Sequence, residues 1–328
     1  MQYGTIVHYI LERFFGEYTK EEYLSLEEDK FQKIVCAYLA EYAVKYFGEE
    51  QLESNSFTYR LKTILDNVMY LMKHIMEELS QSEFFVADCE LKIGEDIPSY
   101  TIVLPDGHKI AVCGSVDRVD IMQRADITYL RIIDYKTGTK QFKLSDILYG
   151  INLQMLLYLH SIEASGGDKY GEIVPAGILY MPATVPYISS DSLKSIDKLP
   201  DELNKKLKMN GLLLKDTEII HGMDKTDVAT YIPVKIKAGE PVSSTSLATL
   251  AEFGKIFKKV DMLIAEMGKN IYNGNIEAKP LKGGHDSCEY CPYDSVCAYR
   301  QSNPITCFSV DNKTVIEEIT NEINGKEE

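Results

Sequence analysis

The chain contains no tryptophan in 328 residues. It has no apolar run near the roughly 20 residues that span a bilayer, and no basic-then-apolar leader at its start. These absences argue against a membrane-spanning role, and a soluble cytoplasmic protein is the expectation. No G-x-x-x-x-G-K-[ST] occurs, which excludes a phosphate-loop NTP motor. Positive charge is scarce: 35 Lys and Arg face 50 Asp and Glu, a net charge of −15. That balance argues against a wide nucleic-acid-binding face, though not against a local one. A disulfide framework is also disfavoured. The cysteines number seven, an odd count, and no secretion signal accompanies them.

What is present suffices for one large domain or two smaller ones, at 45% hydrophobic residues. The start is abrupt, entering an amphipathic helix within a few residues, and suggests a piece of something longer. Residues 4–47 and 58–80 carry the three-and-four spacing of helices. The period then changes. "FFVADCELKIG", "YTIVLPDGHKIAVCGSVDRVDIM" and "ITYLRIIDYKTG" are strand-like, with a turn at Pro105-Asp106-Gly107. Residues 146–163 return to helix, and 176–182 give another strand. Residues 183–250 look irregular, with Pro, Ser and Lys enriched. One long helix covers 246–274, closed by Gly274. The expected organisation is a helical part over 1–82, a mixed α/β core over 83–182 and an insertion over 183–250. A helix with a cysteine cluster follows over 251–310, then a frayed, solvated acidic tail over 311–328.

The chemistry concentrates in two of the strands. "GSVDRVDIM" and "LRIIDYKTG" should pair antiparallel, bringing Asp117 and Asp134 close at one end. Asp134 and Lys136 are two apart on a strand and share a face. Two neighbouring carboxylates repel unless a cation lies between them. Mg²⁺ takes such hard oxygen ligands, and a lysine beside it can steady charge growing on a phosphate. A D-x-K on a strand edge is by itself an ordinary ion pair. Gln154 and Tyr158 follow on a helix, at i and i+4 on one face.

Together, Asp117, Asp134-Tyr135-Lys136 and Gln154-x-x-x-Tyr158 resemble the RecB-type nucleases of the PD-(D/E)XK superfamily. Gly4-x-x-x-His8 matches that family's leading helix motif. The resemblance implies a restriction-endonuclease-like core, a mixed central sheet flanked by helices with helical N- and C-terminal extensions. It implies His8, Asp117, Asp134 and the backbone carbonyl of Tyr135 as ligands of Mg²⁺ or Mn²⁺. Lys136 would be the catalytic lysine, with Gln154 and Tyr158 supporting the site and contacting DNA. Glu90 is a further candidate for a secondary metal or substrate contact, or a rim charge.

"HDSCEYCPYDSVC" holds Cys288, Cys291 and Cys297 in C-x₂-C-x₅-C. Iron–sulfur and zinc centres ordinarily need four ligands, and His285 and Cys307 are the local candidates for the fourth. The resemblance points instead to a [4Fe-4S] cluster, as in the B subunits of AddAB-type helicase–nucleases. Its first cysteine would precede the Gly4–His8 helix, where this sequence has only Met1 to Tyr3, so an absent or incomplete cluster is expected. The same resemblance covers nearly the whole chain. It implies a nuclease domain that hydrolyses unwound single strands during double-strand break repair, beside a partner A subunit. The alternatives are a stand-alone or CRISPR-associated nuclease and a catalytically silent DNA-binding module. Arg118, Lys140, Lys143, Lys205, Lys206 and Lys208 are the candidates for phosphate contacts, each alternatively an ordinary solvated surface charge.

Overall fold

The computed structural model describes residues 3–138, 140–188, 199–243, 245–297 and 304–327. Helix α1 (Tyr3–Glu17) forms because Ile6, Val7, Ile10, Leu11 and Phe14 repeat along one stripe, all buried. That stripe lays α1 across the sheet and leaves His8 at its edge. Helix α2 (Lys20–Leu24) starts on a capping box between Thr19 and Glu22. Helices α3 (Glu28–Phe47), α4 (Glu49–Leu52) and α5 (Asn55–Gln81) complete the layer.

Strand β1 (Phe85–Ile93) precedes a hairpin of β2 (Tyr100–Val103) and β3 (Lys109–Val112). The expected turn closes it, with Leu104 N–H donating to the His108 carbonyl at 2.7 Å. β4 (Gly114–Arg124) and β5 (Ile127–Lys136) then pair antiparallel, as their sequences predict. A 3₁₀ turn (Leu144–Tyr149), α6 (Gln154–Ser165) and α7 (Gly167–Tyr170) lead to β6 (Glu172–Pro182), which runs parallel to β5. A parallel neighbour needs such a crossover. The continuous helix expected over 146–163 is broken, because Gly150 and Asn152 take left-handed φ of 68° and 55°. This turn starts α6 at Gln154, beside the ends of the strands.

The remaining elements are α8 (Leu199–Leu207), β7 (Asn210–Leu214), α9 (Thr217–Met223), β8 (Lys235–Lys237), β9 (Glu240–Val242), β10 (Leu247–Ala248), α10 (Leu250–Tyr272), β11 (Leu281–Gly283), α11 (Asp294–Cys297), β12 (Ile305–Cys307) and α12 (Asn312–Glu327). The central sheet is mixed, in the order β1-β4-β5-β6-β7-β10, with helices against it. This is the expected α/β architecture. No helix among the described residues is long and apolar enough to cross a membrane.

Two expectations are corrected. The segment 183–250, of which 189–198 and 244 lie outside the described residues, supplies β7 and β10 to the central sheet. "NGLLL" is a strand buried on both faces, so it shows no alternation for a sequence pattern to catch. The acidic tail is not frayed. α12 buries Val315, Ile319 and Ile323 against the body, and Lys259 of α10 pairs with Glu322. Burying those three side chains contributes roughly 5–9 kcal/mol before ordering costs, which outweighs the tail's acidity.

Candidate active site

The register of the sheet sets the site. Cys89 pairs with Arg118 and Leu91 with Val116, so Glu90 stands opposite Asp117. Arg118 pairs with Ile133, so Asp117 in turn stands opposite Asp134. Asp134 pairs with Tyr180. Three carboxylates therefore form a row across β1, β4 and β5. Asp117 Oδ2 accepts the Tyr135 N–H at 2.9 Å. A residue's N–H and C=O point to the same neighbouring strand, so the Tyr135 carbonyl also faces β4. The Tyr135 ring is buried and meets His8 edge-on, centroids 5.7 Å apart.

His8 approaches the row from α1. Its Nδ1 lies 2.9 Å from Glu90 Oε1, and its Nε2 lies 3.7 Å from Asp117 Oδ2. Ser115 Oγ donates to the other Glu90 oxygen at 3.0 Å. Glu90 adopts φ 51°, a left-handed conformation that costs a non-glycine residue of order 1–3 kcal/mol. Lys136 Nζ stands 2.5 Å from Asp134 Oδ2, an ion pair rather than an aligned hydrogen bond. It also lies over the Tyr180 ring, 5.7 Å from its centroid, with Lys140 over the same ring at 5.1 Å.

The electrostatics follow from three carboxylates crowded against one lysine and one imidazole. Burial and then repulsion by Asp134 push the Asp117 carboxyl up to about 6. The hydrogen bond to Glu90 raises His8 despite partial burial, and the same bond lowers Glu90. One ligand atom each from His8, Glu90 and Asp117 lies within 4.8 Å of the others, and among the described residues no other such group of three occurs. Carboxylate oxygens with an imidazole nitrogen suit Mg²⁺ or Mn²⁺, and a cation would relieve the repulsion that raises Asp117.

Tyr158 lies against the same strand ends. A Cβ on Gly114 would fall 2.2 Å from the Tyr158 hydroxyl, so only glycine there lets the ring lie over the start of β4. Gln154 is exposed on the first turn of α6.

Arg118 is not at the surface. It is fully buried, with its Nε and Nη2 on Asp120 at 2.6 and 2.7 Å and Nη2 on Glu78 at 3.2 Å. Arg131 joins the same two acids, 2.6 Å from Glu78 and 3.0 Å from Asp120. Lys208 is also engaged, donating to the carbonyls of Ala229 and Val234 at 2.6 and 3.1 Å. Lys143, Lys205 and Lys206 are exposed. Cys288 and Cys291 are partly buried, Cys297 is exposed and Cys307 is buried, all as free thiols. His285 is exposed. Among the described residues, the sulfurs of Cys288, Cys291 and Cys297 do not all lie within 4.8 Å of one another.

The site therefore combines an acid row at the ends of antiparallel strands, a lysine two residues after the last acid, and a parallel strand reached through a helical crossover. The model of the PD-(D/E)XK nuclease superfamily matches residues 1–298, and the chain belongs to that superfamily. It is similar to the B subunits of ATP-dependent helicase/deoxyribonucleases from several bacteria. That of Alkaliphilus oremlandii is 32% identical over 336 residues, covering 97% of this chain and 29% of the relative. That of Ruminiclostridium cellulolyticum is 33% identical over 344 residues, covering 99% and 29%. That of Thermoanaerobacter sp. (strain X514) is 38% identical over 246 residues, covering 73% and 21%. The chain thus spans less than a third of the length of these relatives.

Proposed function

We propose that the chain is the nuclease portion of the B subunit of a helicase–nuclease, hydrolysing phosphodiesters of one unwound DNA strand with a divalent metal, Mg²⁺ or Mn²⁺. The row of Glu90, Asp117 and Asp134, with His8 and Lys136 around it, carries this reading. His8, Glu90, Asp117, Asp134 and the Tyr135 carbonyl are the metal's ligands. When bound, the metal polarises the phosphoryl oxygen and lowers the pKa of a water.

The protein's own groups do the rest. Lys136, held by its ion pair with Asp134, steadies negative charge on the non-bridging phosphate oxygens as water attacks phosphorus. One P–O bond forms and one breaks, leaving a phosphomonoester and a hydroxyl. A ligating His8 must be neutral, so any proton that its bond to Glu90 keeps on the ring leaves as the metal binds. Tyr158 buttresses the start of β4, and Gln154 on the same helix reaches the strand being cut.

Phosphate neutralisation comes from Lys140, Lys143, Lys205 and Lys206. Four lysines on a −15 chain give weak, salt-sensitive binding. A partner subunit supplies the remaining contacts and the unwound strand. The test is Mg²⁺-dependent cleavage of a labelled single strand by the wild type and by Lys136→Ala. Cleavage by the wild type alone supports the proposal, and equal cleavage by both removes Lys136 from the chemistry.

A further inference from the structure

The cavity that opens onto His8 and Glu90 is not walled by charge alone. It holds about 630 Å³, and Tyr9 of α1 with Tyr42 and Tyr46 of α3 form another of its walls. Tyr42 and Tyr46 are four apart on α3 and so lie on one face of it. Their ring centroids are 4.4 Å apart and tilted by 36°. Tyr9 meets Tyr42 edge-on, with centroids 5.2 Å apart. Tyr42 is 6% exposed and forms the base of the group, whereas Tyr46 is 54% exposed. Lys45 Nζ sits 5.2 Å from the Tyr46 centroid and 5.8 Å from that of Tyr9.

An exposed tyrosine at the edge of an amphipathic helix is common. This one differs in two respects. It shares a cavity with His8 and with Glu90 of the acid row, and α3 does not need it for docking, since Phe31, Val35, Tyr38, Leu39, Tyr42 and Ala43 already bury that helix. A ring backed by a second ring, with an ammonium on a flexible stem at its rim, is what unpaired nucleic acid exploits. A base stacks on the ring, and the cation takes the phosphate. Bases of an intact duplex are already stacked on one another and cannot do this.

We propose that Tyr46, backed by Tyr42, stacks a base of the unpaired strand next to the phosphodiester at the acid row, and that Lys45 contacts the backbone there. The placement of the scissile phosphate rests on the nuclease reading above, but the stacking can be measured without cleavage. The full chain in EDTA is titrated with single strands carrying 2-aminopurine at successive positions. The wild type should quench the probe at one position, and Tyr46→Phe should keep that quench. Tyr46→Ala should lose it and bind roughly 5- to 150-fold more weakly. In Mg²⁺, Tyr46→Ala should raise KM for the single strand and leave kcat unchanged. Quench and affinity in Tyr46→Ala equal to those of the wild type overturn the proposal, as does a wild type that cleaves but quenches at no position. A quench lost in Tyr46→Ala, from a wild type that does not cleave, sustains the stacking and overturns the nuclease reading instead.

Discussion

Strands β4 and β5 carry two charge clusters on alternate residues, and they behave as opposites. Asp117 and Asp134 face the open end of the sheet. Arg118, Asp120 and Arg131 turn to the other face, where Glu78 of α5 meets them. The inner cluster has two guanidinium groups, two carboxylates and no exposed side-chain surface. The outer has three carboxylates against one lysine and one imidazole, all but the buried Asp134 partly open to solvent. The inner charges are matched and sealed, and Arg118 and Arg131 hold Asp120 low against the effect of burial. The outer charges are mismatched, and Asp117 is pushed up to about 6. Charged residues in a strand thus mean architecture where they balance, and chemistry where they do not.

The largest effect should come from the outer cluster. Lys136→Ala should lower cleavage by about 10²- to 10³-fold, the scale of losing a preorganised charge-stabilising donor, while the melting temperature stays put. A stopped assay on a labelled single strand, with thermal melting beside it, checks both. If melting falls with activity, Lys136 is structural and the contrast between the clusters fails.

The inner cluster should behave the other way. Arg131→Met leaves Glu78 and Asp120 short of a buried partner and should cost about 3–5 kcal/mol of stability. Urea unfolding measures this. Protein that remains folded at low temperature should cleave as the wild type does. A loss of activity without a loss of stability would make the inner cluster part of the site.

A third group lies between these extremes. His160 of α6 is 3.2 Å from Asp261 and 3.3 Å from Glu163, stacked on Phe257. Burial opposes its charge, but the two acids outweigh burial and raise it to about 9. A raised pKa means that the stabilisation is complete below the ordinary 6.5 and is lost as pH rises to about 9. The gap in stability between wild type and His160→Gln should therefore narrow over that window, by of order 2 kcal/mol after discounting for solvent. A gap that holds constant from pH 6 to 9.5 would show that the histidine acts by packing alone.

Much of this is legible in the sequence, for a physical reason. Asp134 and Lys136 sit two apart on a strand, and β4 and β5 follow each other through a short turn, so local pattern alone brings Asp117 to Asp134. The turn at Gly107 and the helix ending before Gly274 are equally local. Glu90 is harder to place. It joins the row only through the register of β1 on β4 and a left-handed backbone at one residue, neither of which a sequence pattern carries. Arg118 defeats the sequence pattern because strand alternation gives the face of a residue but not whether Glu78, 40 residues earlier, arrives to cover it. The acidic tail misleads through composition, since three apolar residues in the right phase decide its docking.

The smallest effect is the most discriminating, because it separates the clusters by ligand. On the proposed reading, Mg²⁺ at ten times its Kd stabilises the wild type by about 1.4 kcal/mol, through mass action on the folded state alone. Arg131→Met should keep this shift from its lower baseline. Asp117→Asn should lose most of it, yet melt above the wild type in EDTA at pH 7.5. An amide there keeps an oxygen for the Tyr135 N–H, and it removes a carboxylate that the folded state ionises only against burial and Asp134. Melting curves of the three chains, with and without Mg²⁺, decide the matter. An equal Mg²⁺ shift in all three would place the cation away from the acid row. An Asp117→Asn chain that melts below the wild type in EDTA would make Asp117 a structural residue, and the two faces of β4 would no longer differ in kind.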